Sequence, residues 1–217
     1  MHPKLTEFYR LRLEDTAKAL RKNNFGAHVT ETVADAKKLI LKTLIPGMKP
    51  ASAAFGGSTT ITECGLYDDV KALPGLKIFD TYQYSLPIDE LLEIRRQALL
   101  CDLFITGTNA VTEQGALVNL DGYGNRVAAL TFGPKKVIVL TGRNKLCADE
   151  FAAMEHIRAL VAPVNAARVN KKTPCTAAIR CQDCFSPERI CNTWTITLKS
   201  LPKERITVVL VNEDLGF

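Results

Sequence analysis

Short, largely apolar runs that alternate with longer amphipathic segments constrain the fold of this chain more than any other feature. Residues 51–55 and 102–106 have the length of a strand, and glycine follows each run directly. Residues 3–22 and 149–169 instead carry apolar side chains at helical spacing. Strands that alternate with helices form a mainly parallel sheet covered on both faces. The sequence therefore predicts an α/β fold, a mainly parallel sheet flanked by helices, with residues 1–217 in a single domain.

Glycine and proline mark the predicted boundaries of several elements. Residues 116–120 and 127–132 flank the sequence Asp-Gly-Tyr-Gly-Asn, and such turn residues commonly join the strands of a hairpin. Proline lacks the backbone N–H that a helix interior requires, so we expect Pro46 to close the second helix and Pro163 to end or kink the long one. The other predicted elements are helices at residues 32–44, 58–64 and 88–100 and strands at residues 27–29, 76–79, 136–140, 193–198 and 206–211.

The charge of the chain is mildly positive and spread along its length. The formal net charge is +5, and the densest basic runs, Lys135-Lys136 and Lys171-Lys172, are short. Such a distribution favours a solvated surface over a nucleic-acid groove. No apolar stretch resembles a signal peptide or reaches the ~18 residues that a membrane span needs. We therefore expect a cytoplasmic protein that binds neither nucleic acid nor a membrane.

Three glycine-rich loops follow or join predicted strands, at residues 56–60, 106–115 and 121–126. In parallel sheets, ligands bind beyond the carboxyl ends of the strands, and glycine lets the backbone approach a ligand closely. The first loop lacks the lysine of a P-loop, and a tight turn followed by a helix cap explains it equally well. We predict that the three loops converge on one cleft. The candidate ligand-binding residues are Gly56, Gly57, Ser58, Thr59, Thr60, Thr106, Gly107, Thr108, Asn109, Gly115, Asp121, Asn125 and Arg126.

Two carboxylates are the candidate catalytic groups. Glu63 and Glu113 each stand in a Glu-x-Gly sequence beside a glycine-rich loop. The alternative is that a carboxylate near a helix start serves only the helix dipole. Arg126 either pairs with Asp121 or presents its planar guanidinium to an anionic ligand. The histidines suggest no pairing with serine or cysteine for nucleophilic catalysis.

Three motifs of the sequence resemble those of the LUD (lactate utilisation) family. Residues 54–60 read Ala-Phe-Gly-Gly-Ser-Thr-Thr and precede Glu63. Residues 106–115 read Thr-Gly-Thr-Asn-Ala-Val-Thr-Glu-Gln-Gly, and Asp-Gly-Tyr-Gly-Asn-Arg follows at residues 121–126. Gly133-Pro134 and the strand that ends at Thr141-Gly142 complete the likeness.

The resemblance implies a fold and a range of functions. The fold is that of ribose-5-phosphate isomerase, glucosamine-6-phosphate deaminase and CoA transferases. The implied function is a part in lactate or related redox metabolism, with a small anionic metabolite or nucleotide-like ligand held by the glycine-rich loops. One alternative is an enzyme of the CoA-transferase or sugar-phosphate type, in which Glu113 resembles the nucleophilic glutamate. Another is a non-catalytic accessory subunit that joins iron–sulfur oxidoreductase subunits. Whether the chain forms a homo-oligomer is left open.

Four of the seven cysteines crowd into an excursion at about residues 170–192 whose composition differs from the rest. A reducing cytoplasm disfavours a dense disulfide framework, and Cys-x2-Cys is a common metal-binding spacing. The spacing fits an iron–sulfur cluster or zinc, and it also fits reduced structural cysteines or disulfides. We predict that the four sulfurs lie close together in the fold. The candidate metal ligands are Cys175, Cys181, Cys184 and Cys191.

Overall fold

The computed structural model describes residues 2–217 and arranges their strands in two sheets. The strands are β1 (Gly26–Thr30), β2 (Ser52–Phe55), β3 (Lys77–Phe79), β4 (Leu103–Thr106), β5 (Ala110–Thr112), β6 (Leu117–Asp121), β7 (Lys136–Gly142), β8 (Leu146–Cys147), β9 (Thr193–Thr197) and β10 (Ile206–Val211). The main sheet has the order β1-β10-β7-β4-β2-β3, and every neighbouring pair in it is parallel. The predicted α/β fold with a mainly parallel sheet is confirmed.

Helices cover both faces of the main sheet. They are α1 (Pro3–Lys22), α2 (Val33–Leu39), α3 (Ile45–Met48), α4 (Thr59–Glu63), α5 (Leu66–Lys71), α6 (Ile88–Ala98), α7 (Asn125–Thr131), α8 (Glu150–His156), α9 (Ala162–Arg168) and α10 (Pro174–Ala178). In β4, Phe104 enters the core shared with α1, α6 and α7, whereas Leu103 and Ile105 enter the core shared with α2 to α5. This split follows from the two-residue repeat of a strand, and it explains why the strand sequence is apolar throughout.

A second, smaller sheet has the order β8-β5-β6-β9. β6 pairs antiparallel with both β5 and β9, and β8 pairs parallel with β5. Ala153 of α8, Ile157 and Val161 pack against this sheet in a core of their own. Because β5 directly follows β4 in the chain, the second sheet begins at the carboxyl edge of the main sheet.

The predicted hairpin of residues 116–120 and 127–132 is wrong in its second half. β6 forms as a strand, but Asn125–Thr131 is helix α7. Asp121 accounts for the difference, because its carboxylate accepts hydrogen bonds from the backbone N–H groups of Gly124 and Val127 at the start of that helix. The partner of β6 in a hairpin is β5 instead.

Both prolines that were expected to interrupt helices lie within helical segments. Pro46 lies in the helical turn that directly follows the π-helical stretch Ile40–Leu44. Pro163 lies in the helix that directly follows the π-helical stretch Ile157–Val161. The wider π turn shifts the backbone hydrogen bonds, so a residue without an N–H is accommodated. The prediction that Pro46 closes the second helix is therefore wrong, because α3 continues to Met48.

The cysteine-rich segment connects α9 to β9 and contains the short helix α10 within otherwise irregular backbone. Of all helices within residues 2–217, none combines the length and the apolar character that crossing a bilayer requires.

Candidate functional site

A cleft of about 760 Å³ opens at the carboxyl edge of the main sheet. Its floor is formed by the loops that follow β2, β4 and β7, three adjacent parallel strands whose ends meet at one edge. Its other walls come from α6, α9, the loop between β6 and α7, and Ile190 of the cysteine-rich segment. The volume is within the range of small-molecule binding sites, roughly 300–1,000 Å³.

Most of the predicted ligand-binding residues meet in this cleft. Gly107 explains how two loops come so close, because a Cβ at this position would stand 2.5 Å from the Ser58 hydroxyl oxygen. Gly56, Thr60 and Thr106 do not line the cleft; Gly56 donates its N–H to Ile105 in the neighbouring strand β4. The predicted residues that do line the cleft are Gly57, Ser58, Thr59, Gly107, Thr108, Asn109, Asp121, Asn125 and Arg126.

Arg126 ties the loops around the cleft together. Its side chain is almost fully buried, and its Nη2 donates to Asn109 Oδ1 and to the Leu120 carbonyl at 2.9 Å each. Its Nη1 donates to Asn119 Oδ1, and its Nε lies 3.6 Å from Asp121 Oδ2. Burial lowers the pKa of Arg126, and the Asp121 carboxylate opposes that shift. Most of the guanidinium is therefore committed to the protein, as in the pairing alternative, and its charge is offset by Asp121.

Lys145 is a cleft residue that the sequence analysis did not identify. It ends the short 3₁₀ turn Arg143–Lys145 after β7, and only 3% of its surface is exposed. Its Nζ donates to Thr60 Oγ1 at 2.9 Å and to the Thr108 carbonyl at 3.3 Å. Burial lowers the pKa of Lys145 to about 8, the nearby Arg126 charge adds to the shift, and the Glu63 charge opposes it. Its place five residues beyond the end of the predicted strand at residues 136–140 is the signal that could have identified it.

Further cations make the cleft electropositive. Arg95 of α6 stacks over the Tyr123 ring at 5.1 Å, and its Nη1 has no hydrogen-bond partner within residues 2–217. Arg168 and Lys171 also line the cleft. The carboxylate of Asp121 also lines the cleft, but Arg126 neutralises it. The remaining positive charges favour an anionic occupant.

The two candidate catalytic carboxylates do not line the cleft. Glu113 lies in the turn between β5 and β6, where its Oε1 accepts a hydrogen bond from Arg12 Nε at 2.7 Å. Gly115 lies in the same turn and packs on the backbone of α1 at Ala19. Glu63 is exposed at the end of α4, although its charge acts on Lys145. Of the groups named, Lys145 rather than either glutamate is the titratable side chain placed to meet a ligand.

The four cysteines of the cysteine-rich segment all line a second, smaller pocket. Ile190 lines both this pocket and the cleft. As placed in the described part of the chain, no three histidine, cysteine or carboxylate side chains form a group that could hold a metal ion. The metal-binding role of Cys175, Cys181, Cys184 and Cys191 stays a prediction.

The chain was compared with protein-family models, with curated proteins and with solved structures. The family model described as LUD domain matches residues 13–211 of the chain. Among solved structures, the chain is similar to a DUF162 family protein from Deinococcus radiodurans, with a TM-score of 0.50 and 13% sequence identity. That similarity covers 94% of this chain and 98% of the other, and at this identity it concerns the fold alone. No curated protein matches the chain.

Proposed function

This chain belongs to the LUD domain family, and from that premise we propose that its cleft binds a small anionic metabolite in lactate or related redox metabolism. The observation that carries the proposal is the excess of positive charge in a cleft of metabolite size. Arg95, Lys145, Arg168 and Lys171 line it, and Arg126 already neutralises its neighbour Asp121. A ligand that carries a carboxylate or phosphate would offset this charge at short range.

Arg95 and Lys145 take different parts in this proposal. The Arg95 guanidinium lies over the Tyr123 ring, and this contact favours one position of the side chain before a ligand arrives. Lys145 lies at the base of the cleft, and with a pKa of about 8 roughly a tenth of its amines are neutral at pH 7. It can bind the anion as an ammonium or, when neutral, accept a proton from a bound hydroxyl group.

Binding of defined anions to the purified full chain tests the proposal. Calorimetric titrations with L-lactate, pyruvate, inorganic phosphate and ADP cover the carboxylate, phosphate and nucleotide classes. We expect at least one of them to bind, and tighter binding of lactate or pyruvate than of phosphate or ADP supports the metabolic assignment. Arg95→Gln should weaken that binding roughly ten- to hundredfold, since a hydrogen bond to a charged group contributes about 1.5–3 kcal/mol.

Arg96→Gln is the matched control, because Arg96 lies on the same helix, is exposed and pairs with Glu93 outside the cleft. It should bind the anion like the unmodified chain. Failure of all four anions to bind, or equal binding by the Arg95 variant, contradicts the proposal.

The transferase alternative has less support. Its nucleophile would be Glu113, which is held by Arg12 and does not line the cleft. A substrate in the cleft would therefore not meet the carboxylate without a rearrangement of the turn between β5 and β6.

A further inference from the structure

Four cysteines from separate parts of the cysteine-rich segment line one small pocket, although they are too far apart in the sequence to belong to a single turn. Its wall contains Cys175, Cys181, Cys184 and Cys191, and much of the rest is apolar, including Ala162 and Pro163 of α9. All four cysteines are free and half-buried. Chain segments from α10, from the turn that follows it and from two residues before β9 thus converge beside α9.

The local backbone presents these sulfurs in an ordered way. The Asp183 N–H donates to Cys181 Sγ at 3.4 Å, with Asp183 in the left-handed region at a φ of 43°. Arg189 donates to the carbonyl oxygens of both Cys184 and Cys191 and so holds the backbone at these two cysteines together. An N–H group directed at a sulfur and a nearby guanidinium both stabilise negative charge on thiolates.

The four cysteines also share the wall of one small pocket. Four thiolates in so small a space repel unless a cation lies among them. A bound metal centre removes that repulsion and is the usual partner of clustered cysteines in a reducing compartment.

We propose that Cys175, Cys181, Cys184 and Cys191 ligate a thiophilic metal centre, a zinc ion or an iron–sulfur cluster, as four thiolates. Each thiol releases its proton to solvent on ligation, and no change of oxidation state is involved. Because the side chains do not form a closed ligand set as placed, binding turns the sulfurs towards the centre of the pocket.

The position of this site gives it a second effect, which rests on the proposed function of the cleft. Ile190, beside Cys191, lines both the pocket and the cleft, and Asn192 donates through its backbone N–H to Asp121 and through Nδ2 to Gly122 at the cleft rim. Helix α9 also has residues in both linings. Metal ligation therefore holds one wall of the cleft in place, and its loss should weaken anion binding.

Metal and sulfide analysis of the full chain purified without oxygen tests the site. A zinc site gives about one zinc per chain, and a cubane cluster gives about four irons and four acid-labile sulfides with broad visible absorption. Cys181→Ser and Cys184→Ser should each lower the metal content severalfold. Cys64→Ser is the matched control, because Cys64 is also a free, half-buried cysteine but lies outside the pocket, and it should keep the full content.

Thiol labelling keeps the proposal testable if the serine variants fail to fold. In the metal-loaded unmodified chain, Cys175, Cys181, Cys184 and Cys191 should resist an alkylating reagent, and removal of the metal by a chelator should expose all four together. The proposal is overturned if the oxygen-free protein holds neither zinc nor iron with sulfide after reconstitution, or if the four thiols react equally with and without metal. Bound metal without anion binding overturns only the proposed function of the cleft, and anion binding without metal overturns only the metal site.

Discussion

Replacing Lys145 by methionine should stabilise the protein in the absence of ligand, although it removes a side chain from the candidate site. The Lys145 ammonium is buried, and its pKa falls from 10.5 to about 8 on folding. At about 1.36 kcal/mol per pKa unit, the charged form destabilises the folded state by about 3 kcal/mol at pH values below both. Methionine has a similar length and no charge, but it leaves Thr60 and Thr108 without their donor, a loss of about 1 kcal/mol.

The pH dependence identifies the cause of this gain. Between pH 8 and 10.5 the unfolded chain binds a proton at Lys145 that the folded chain does not, so the free energy of unfolding of the unmodified protein rises with pH in this window. The advantage of Lys145→Met should therefore be about 2 kcal/mol at pH 7, fall to zero near pH ~10 and become a small disadvantage at pH 10.5, where only the lost hydrogen bonds remain.

Urea unfolding of both proteins across this pH range, followed by circular dichroism, measures the difference. Lys42→Met is the control for removing an exposed lysine. A stability difference between Lys145→Met and the unmodified protein that stays constant from pH 7 to 10.5, or a variant that is less stable at pH 7, would refute the reasoning about the buried amine.

Three further substitutions test the architecture around the cleft. Arg126→Met leaves the partner carboxylate of Asp121, whose side chain is only 12% exposed, without its cation, and urea unfolding should show a loss of about 3–5 kcal/mol in the free energy of unfolding. Gly115→Ala places a Cβ 2.6 Å from backbone atoms of Ala19 at a φ of +80°, and thermal unfolding should show a clear destabilisation, of at least about 1–3 kcal/mol. Glu113→Gln removes a half-exposed ion pair, so unfolding should change by less than about 1 kcal/mol and calorimetric anion binding should not change; a large loss of binding would support Glu113 as a site residue.

Local sequence patterns were sufficient for the main elements and for much of the cleft. The apolar run at residues 102–106 and the glycine after it predicted a buried strand and its loop correctly. The length of a strand, its burial and the point where it ends depend on local sequence. Parallel strands end at a common edge, so the prediction that loops 56–60 and 106–115 meet needed no knowledge of distant contacts. The sequence Asp-Gly-Tyr-Gly-Asn led to the wrong prediction of a hairpin, because an aspartate can either form a hairpin turn or cap a helix. Only the hydrogen bond from the Val127 N–H to Asp121 distinguishes the two structures.

The tertiary structure alone decided which charged residues face the cleft. Lys145 and Arg95 belong to no motif, and both line the cleft because the fold brings the end of β7 and helix α6 to it. Glu113 carries a motif, but a hairpin of the second sheet turns it towards Arg12 and away from the cleft lining. Sequence determines the period of burial along each element, whereas the meeting of side chains from distant elements depends on strand order and packing, which no local pattern encodes.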